Sequence, residues 1–217
     1  MHKVVVNTLP NKNEHLNYIR TTFSCRIYFK GAIEMKTIIV IVGGSGSGKT
    51  TIAHRLETHG FKRLITTTTR SMRKGEVNHH DYHFVSKEEF QRLDKVEESE
   101  YAGNHYGLTI IEVDTKLTQH DQLVICMDMN GARAMQRKYP KYTKVVFIRL
   151  TKELLVERLK RRGSTDEEIQ SRLEEAKKKN EFGMPDQVDL IIENKDLDES
   201  VQSILQLTAK QKEKANR

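Results

Sequence analysis

The chain carries Ile38-Ile39-Val40-Ile41-Val42 and, directly after it, Gly43-Gly44-Ser45-Gly46-Ser47-Gly48-Lys49-Thr50. The apolar run has the length and β-branched content of a buried strand, and apolar side chains recur at helical spacing after Lys49. In a glycine-rich loop between a strand and a helix, backbone N–H groups can turn inward around phosphate oxygens, and the helix N-terminus adds partial positive charge. The stretch therefore predicts a P-loop that binds a nucleoside triphosphate.

Within this loop, Lys49 is placed to reach the β- and γ-phosphates, and the hydroxyl of Thr50 is a candidate magnesium ligand. The candidate ATP-binding residues that follow from the motif are Gly43, Gly44, Ser45, Gly46, Ser47, Gly48, Lys49, Thr50 and Thr51. The motif does not define the reaction, because the second substrate must be bound elsewhere.

Outward from this loop, strands and helices alternate from Met35 onward, which predicts an α/β fold with a parallel sheet flanked by helices. Strands are expected at residues 38–42, 123–127, 144–150 and 189–193. Helices are expected at 49–59, at 152–162, after a capping box of Ser164 or Thr165 with Glu167 or Glu168, and around Val201, Ile204 and Leu205.

Residues 66–118 interrupt this alternation with short alternating stretches and a capped helix that begins after Ser86. They predict an inserted mixed α/β lobe, which leaves residues 35–65 and 119–217 as the core. Residues 1–34 show no clear period. Because Lys30-Gly31-Ala32 can be encoded by a bacterial ribosome-binding sequence, we expect that Met35 is the native start. The alternative is a genuine N-terminal arm.

Composition restricts the class of protein. The 217 residues carry a net charge of +7 and two cysteines, Cys25 and Cys126. A disulfide framework is improbable, so a reducing cytoplasm is the expected compartment, and no apolar run has the length of a membrane span. Basic residues lie beside phosphate-type motifs and are not interleaved with aromatics, which favours a bound nucleotide over nucleic acid. The oligomeric state, monomer or homodimer, stays open.

The motifs between and after these elements resemble the guanylate kinases over nearly the whole chain from Met35 to about Leu207. Those in the lobe are Thr66-Thr-Thr-Thr-Arg70-Ser-Met-Arg73-Lys-Gly75-Glu76, Asp81-Tyr82-His-Phe84, Glu97 and Gly103-Asn104-His-Tyr106-Gly107. Those that follow are Asp128-Met-Asn-Gly131, Arg158-Leu-Lys-Arg-Arg162-Gly163, Arg172 and Asp189-Leu-Ile-Ile-Glu-Asn194. The resemblance implies Mg²⁺-dependent transfer of the terminal phosphate of ATP to GMP or dGMP.

The chemistry of the lobe residues agrees with this implication. Arg70 and Arg73 can clamp one phosphate, and Tyr82 and Tyr106 can each offer it a hydroxyl. Glu97 is an acceptor-only carboxylate that suits the adjacent N1–H and N2 amine of guanine, donors that adenine lacks. The resemblance adds Thr66, Thr109 and Asp128 as further GMP contacts.

The resemblance also implies a lid at about residues 158–175, where Arg158, Arg162 and Arg172 close over the phosphates, and it places Asn194 near the adenine. Arg158 and Arg162 are four residues apart on one expected helix and should share a face. Lys49, Arg70, Arg158, Arg162 and Arg172 are then the catalytic candidates. Their task is to position the phosphates and to neutralise charge on the transferring phosphoryl group.

Four positions depart from the family pattern. Cys126 stands where a carboxylate is usual, which leaves metal handling open. Leu108 replaces a hydroxyl that contacts the base, Thr66 replaces Ser, and His79 replaces Gly in a hairpin. Two alternatives therefore remain: a P-loop kinase with an altered acceptor, and a catalytically weakened interaction module. His79, His80 and His83 suggest a metal site, but exposed hairpin histidines are the simpler interpretation.

Overall fold

The computed structural model describes residues 16–20, 26–30, 36–178 and 181–215, with the side chains of residues 36–178 and 181–209. Met35, at which we expect the native chain to start, lies outside these residues, as do Gly31 and Ala32. In the described residues, the elements are β1 (Leu16–Arg20), β2 (Arg26–Lys30), β3 (Thr37–Gly43), α1 (Lys49–Glu57), β4 (Lys62–Arg63), β5 (Thr67–Thr68), β6 (His83–Phe84), α2 (Lys87–Arg92), β7 (Lys95–Tyr101), β8 (Asn104–Thr109), α3 (Ile110–Gln119), β9 (Gln122–Cys126), α4 (Met129–Lys138), β10 (Thr143–Arg149), α5 (Lys152–Arg161), α6 (Asp166–Lys178), β11 (Leu190–Glu193) and α7 (Leu197–Ala215).

The predicted α/β fold with a central parallel sheet is confirmed. Five strands pair in the order β11-β10-β3-β9-β4, all parallel, with β3 at the centre. Because the carboxyl ends of parallel strands meet at one edge of a sheet, the loops after β3, β9, β10 and β11 lie on the same side of the molecule. A ligand crevice is expected at that edge.

Strand β3 has both faces buried. Ile38, Val40 and Val42 pack on one side with residues of α3 and α4, while Ile39 and Ile41 pack on the other side with residues of α1 and α7. All five side chains are fully buried. Each contributes roughly 1.5–3 kcal/mol relative to an exposed position, which explains the continuous apolar run in the sequence.

A second, four-stranded sheet forms the expected mixed lobe, in the order β6-β5-β8-β7. Strands β5 and β6 are parallel, and β8 pairs antiparallel with both β5 and β7. The Ser86–Glu89 capping box opens α2, as its sequence predicts. Helix α3 begins where β8 ends, and its Val113 and Leu117 pack in the core of the central sheet, so this helix joins the lobe to the core.

The helices α5 and α6 of the expected lid share a separate apolar cluster that includes Leu150, Leu154, Leu155 and Ala176. Thr165 and Glu168 form the capping box that opens α6. The predicted helix ends at residues 59 and 162 lie two residues and one residue beyond the observed ends of α1 and α5, at Glu57 and Arg161. Gly60 and Gly163 follow α1 and α5 with positive φ (91° and 81°), the left-handed conformation that stops helices.

The N-terminal stretch contains two strands that its sequence did not predict. Strands β1 and β2 pair antiparallel, with Leu16 opposite Lys30 and Arg20 opposite Arg26, and form a two-stranded sheet. Among the helices in the described part of the chain, none combines the length and apolar character that a membrane span requires.

Candidate active site

The phosphate loop connects β3 to α1, at the carboxyl edge of the central sheet. Its glycines allow two close approaches. Gly43 has a φ of 148° and lies against the backbone of Ile148, and Gly48 has a φ of 95° and lies against the side-chain amide of Asn194. A Cβ atom at either position would overlap its neighbour, so these glycines let the loop lie flat on the ends of the neighbouring strands.

Lys49 reaches back over this loop. Its Nζ atom donates hydrogen bonds to the carbonyl oxygens of Gly43, at 2.7 Å, and Gly44, at 2.9 Å. Burial lowers the pKa of Lys49, and interactions with Cys126 and with the carboxylate of Glu181 oppose that shift. The ammonium group is therefore held at the mouth of the loop, where phosphates would enter. Thr50 and Thr51, at the start of α1, are exposed.

Asn194 follows β11, and its side chain hydrogen-bonds the backbone of the phosphate loop. Its Nδ2 atom donates to the carbonyl oxygen of Ser47 at 3.1 Å, and its Oδ1 atom accepts from the Ser200 hydroxyl at 3.1 Å. The side chain is buried, with 7% of its surface exposed. The structure thus places the Nδ2 end of the Asn194 amide in contact with the phosphate-loop backbone, while its Oδ1 end is held by Ser200 of α7.

Two of the three lid arginines reach the same loop. Arg158 on α5 donates from Nη1 to the carbonyl oxygen of Gly46 at 2.6 Å, and from Nη2 to the backbone oxygen of Asn194. Arg172 on α6 donates from Nη2 to the carbonyl oxygen of Ser45 at 3.2 Å and to Glu181 at 2.6 Å. Burial lowers the pKa of Arg158, as do the neighbouring positive charges of α5.

Arg162 differs from this pair. Helix α5 ends at Arg161, so Arg162 is the residue that caps it, and its side chain is exposed. The backbone nevertheless keeps Arg162 one helical turn after Arg158, with helical φ and ψ of −86° and −2° and an N–H···O bond of 3.2 Å to the carbonyl oxygen of Arg158. A shared helical face therefore stays the prediction for the two side chains, and of the two it is Arg158 whose contact with the phosphate loop is seen here.

The acceptor lobe brings Arg70 and two tyrosines together. The guanidinium carbon of Arg70 lies 5.4 Å from the ring centroid of Tyr82, and the rings of Tyr82 and Tyr106 make an edge contact at 6.0 Å. Nη1 and Nη2 of Arg70 each donate a hydrogen bond to a carboxylate oxygen of Glu76, at 3.0 and 2.7 Å. This pairing raises the pKa of Arg70 and lowers the pKa of Glu76. Arg73, predicted as the second arm of a clamp, is exposed.

Glu97 lies on β7 beside a bulge between Lys95 and Glu97, opposite Leu108 of β8. Burial raises its pKa, the negative charge of Asp128 raises it further, and a hydrogen bond from the backbone N–H of Leu108 lowers it. The predicted base contacts Glu97 and Asp128 are thus close enough to repel each other. The side chain of Glu97 is half-buried and that of Asp128 is exposed, and two neighbouring carboxylates favour a ligand that offers N–H donors.

Two further candidates already have local partners. Asp128 caps α4, accepting from the backbone N–H of Gly131 at 2.8 Å, and Thr109 caps α3, accepting from that of Glu112 at 3.3 Å. Thr66, by contrast, lines a pocket of about 170 Å³. The other residues of this pocket come from both the core and the lobe: Thr50, Ala53, His54, Arg63, Leu64, Asp81, Tyr82, Ile125 and Cys126.

The departures from the family pattern occupy different environments. Leu108 is fully buried in the core with Val113, while Cys126 is half-buried and faces the pocket that Thr50 lines. Burial raises the pKa of the Cys126 thiol to about 11, although Lys49 lowers it, so the thiol is neutral at pH 7. His79 adopts a left-handed conformation with a φ of 63°.

The hairpin histidines form a chain of hydrogen bonds. The Nδ1 atoms of His79 and His83 are 2.8 Å apart, and Nε2 of His83 is 3.1 Å from a carboxylate oxygen of Glu112. No group of three or more His, Cys, Asp or Glu side chains that could hold a metal ion occurs within the described residues.

Sequence reasoning missed three carboxylates. Glu76 was visible at the end of the arginine run but received no role. Glu112 stands three residues after the capping residue Thr109, a spacing that could have indicated it. Glu181 has no local pattern that reveals it, since its partner Arg172 and the loop residue Gly44 come from other parts of the chain.

A phosphate loop covered by arginines, together with a separate lobe that carries a second arginine site, defines a P-loop kinase that acts on a phosphorylated acceptor. A family model described as guanylate kinase matches residues 34–211. The chain belongs to the guanylate kinase family.

Individual relatives agree with this assignment. The guanylate kinase of Chlorobium luteolum is 35% identical over 176 residues, which cover 77% of this chain and 88% of that protein. The guanylate kinase of Wolinella succinogenes is 36% identical over 188 residues, covering 78% of this chain and 82% of that protein. The crystal structure of guanylate kinase from Anaplasma phagocytophilum has a TM-score of 0.62 at 24% identity, over 82% of this chain and 87% of that one, and it supports the fold.

Proposed function

We propose that this chain transfers the γ-phosphate of ATP to GMP or dGMP, giving ADP and GDP or dGDP. The observation that carries the proposal is the pocket of about 170 Å³ whose walls come from both substrate regions. Thr50 of the phosphate loop forms one wall, and Thr66 and Tyr82 of the lobe form another. The pocket therefore lies between the end of the phosphate loop and the acceptor lobe, and direct transfer needs such a meeting place because catalysis of this reaction is mostly positioning and charge neutralisation.

The donor side is assigned to the phosphate loop and the lid. The backbone N–H groups after Gly43 and the ammonium group of Lys49 bind the triphosphate, and Asn194 fixes the loop through Ser47. Arg158 and Arg172 place two positive charges at the rim of the loop, where they exclude water and neutralise charge on the transferring group. Arg162 would need a further lid movement to join them.

The acceptor side is assigned to the lobe. Arg70, Tyr82 and Tyr106 bind the phosphate of the nucleoside monophosphate, and Glu76 orients the guanidinium of Arg70. Arg73 joins them on closure. Glu97, with Asp128 beside it, accepts from N1–H and the N2 amine of guanine, which would relieve the repulsion between the two carboxylates. Thr66 and Thr109 complete the base contacts.

The residues of this site fit a magnesium ion that is bound together with the nucleotide. The hydroxyl of Thr50 is the protein ligand on offer in the pocket, and magnesium commonly binds one or two protein groups while it keeps several waters and phosphate oxygens. When bound, the ion supplies positive charge to the phosphate oxygens. The cysteine content supports a reducing compartment such as the cytoplasm.

The first prediction is that GMP is the preferred acceptor. A coupled ADP-release assay with ATP and GMP, dGMP, AMP, CMP or UMP at equal concentration should give the fastest turnover with GMP, since only guanine presents both donors to Glu97. If AMP or UMP is phosphorylated faster, the Glu97 assignment is wrong. Absence of turnover with all five acceptors would favour the interaction module instead.

A further inference from the structure

Glu181, in the segment after α6, lies beside the phosphate loop without a role in the scheme above. Its carboxylate contacts Arg172 at 2.6 Å, and only 11% of its side chain is exposed. A Cβ atom on Gly44 would come within 2.9 Å of Oε2 and 3.1 Å of Cβ of Glu181, so this side chain packs directly on the loop. Its backbone is fixed as well, because its N–H donates to the carbonyl oxygen of Ala176 at 2.9 Å.

The carboxylate of Glu181 binds one of the two terminal nitrogens of the Arg172 guanidinium, Nη2. Nη2 divides its hydrogen bonds between Glu181 and the carbonyl oxygen of Ser45. Nη1 is buried and forms no hydrogen bond within the described residues, and its ion pair with Glu175 is long, at 3.8 Å. Arginine presents its donors in a rigid fork, so fixing Nη2 also fixes the direction of Nη1.

Glu181 also acts on the second cation of the loop. Its negative charge raises the pKa of Lys49 and so favours the charged ammonium, against the desolvation that favours the neutral amine. The thiol of Cys126, the other group that acts on Lys49 in this way, is neutral at pH 7 because burial raises its pKa to about 11. The carboxylate of Glu181 is thus a counter-ion common to two cations that bind phosphate in the proposed function.

We propose that Glu181 is a positioning residue for phosphoryl transfer, which holds the Arg172 guanidinium at the rim of the phosphate loop with its Nη1 donors ready for a phosphate oxygen. The proposal rests on the function proposed above. An arginine that is already in place needs no reorganisation when charge develops on the transferring group. The contribution of Glu181 should therefore appear mainly in kcat, and little in the KM for GMP, which binds in the other lobe.

The test compares Glu181→Gln with Glu175→Gln, which removes the more distant and more exposed carboxylate beside the same arginine (51% exposed). Glu181→Gln should lower kcat about tenfold and leave the KM for GMP within about twofold, while Glu175→Gln should keep kcat within about twofold. Glu181→Asp retains the charge at a shorter reach and should recover part of the loss. If Glu181→Gln does not fold, Glu181→Asp still tests the proposal, because a wild-type kcat in that variant would contradict the need for exact placement.

A double-mutant cycle separates positioning from a general structural role. In an Arg172→Ala background, Glu181→Gln should lower kcat by a clearly smaller factor than in the wild type, since the residue acts mainly through the arginine and only its charge beside Lys49 remains to be lost. Wild-type kcat in a folded Glu181→Gln variant, or independent losses that add in the double variant, would overturn the inference. These outcomes are distinct from failure of the proposed function, which would appear as a wild-type chain that phosphorylates no GMP.

Discussion

Leu108 shows that a sequence motif does not reveal the environment of a residue. It stands where the family pattern has a hydroxyl beside the base, which suggested a weakened base contact. In the structure its side chain is fully buried in the core cluster that contains Val113 and Ile38. A hydroxyl there would be buried among apolar side chains, so an apolar residue stabilises this position. The motif could not reveal this, because burial depends on how α3 packs on the sheet.

His79 is the second informative departure. Its φ of 63° is a conformation that glycine adopts without strain and that costs other residues about 1 kcal/mol or more. The family preference for glycine at this position therefore has a backbone cause that the sequence could have indicated.

Cys126 carries the prediction at this scale. Its thiol faces the pocket that Thr50 lines, close enough to Lys49 for each to change the pKa of the other. Cys126→Asp should place a carboxylate beside a magnesium ion carried by ATP, and so lower the magnesium concentration needed for half-maximal rate and for tight ATP binding. Burial of the new charge opposes this by up to several kcal/mol, offset by Lys49.

Cys126→Ser is the matched control, since it changes the polar group without adding charge. Magnesium titrations of ATP binding and of rate, with a melting curve for each variant, measure the effect. A folded Cys126→Asp protein whose magnesium requirement equals or exceeds that of the wild type would show that position 126 does not serve the metal.

Among the elements, the strands and helices of the core were largely predictable, and their ends were less so. The apolar run of β3 and the capping boxes of α2 and α6 are local signals, and the structure contains all three. The sequence pattern predicted that the strand seen as β9 reaches residue 127. It ends at Cys126, because Asp128 is already the N-cap of α4. Alternation along a strand therefore does not apply to Asp128.

Helix α3, which joins the lobe to the core, depends on Glu112 in its first turn. One oxygen of this carboxylate accepts from the backbone N–H of Ile65 at 2.8 Å and pairs with Lys116 at 2.7 Å, and the other is 3.1 Å from His83. Burial by itself raises the pKa of Glu112, but hydrogen bonds from His83, Lys116 and Ile65 outweigh it and lower the pKa to about 2.

Glu112→Gln should therefore destabilise the fold in a pH-dependent way. A fall of the carboxyl pKa from 4.5 in the unfolded chain to about 2 corresponds to about 3 kcal/mol of stability. Because the folded-state pKa is the lower one, this stability is complete above about pH 5 and is lost as the pH falls toward 2. Urea unfolding of both proteins at pH 7, 5 and 3 measures it.

The difference between wild type and Glu112→Gln should be largest at pH 7 and clearly smaller at pH 3. Glu153→Gln serves as the control, since it neutralises an exposed acid in the first turn of α5 and should change stability much less. A constant difference across this pH range would mean that the cost comes from lost packing and not from the charge of Glu112.

At the scale of the whole molecule, the sequence predicted which residues bind the two substrates but not how distant parts of the chain contact one another. Three contacts illustrate this: Arg172 with Glu181, Asn194 with Ser47, and Arg158 with Gly46. The last two join segments that are far apart in the chain, and in the first, Glu181 belongs to no motif. Such contacts follow from the folded arrangement of the lid on the phosphate loop. The lid roles of Arg158 and Arg162 stay predictions from local spacing, and the folded arrangement adds that Arg158 contacts Gly46 of the phosphate loop.

The N-terminal stretch, as far as the structure describes it, does not extend the central sheet. In the described residues, β1 and β2 form a two-stranded sheet separate from the two larger sheets, and the central sheet begins only at β3. An isolated two-stranded hairpin is marginally stable in water and does not stabilise a neighbouring domain unless it packs on it. The phosphate loop, the lid and the acceptor residues all follow Thr37.

Deletion of residues 1–34 should consequently leave kcat/KM for ATP and GMP within about twofold of the full chain and change the melting temperature by no more than about 3 °C. The shortened chain starts at Met35 and keeps Lys36, whose ammonium group hydrogen-bonds the carbonyl oxygen of Leu117 in α3. A deletion extended through Val40 is the control, since it removes half of the central strand and should prevent folding. Steady-state kinetics and melting curves on all three chains decide the matter. A tenfold loss of kcat/KM in the 35–217 chain, at unchanged solubility, would instead make the N-terminal arm part of the enzyme.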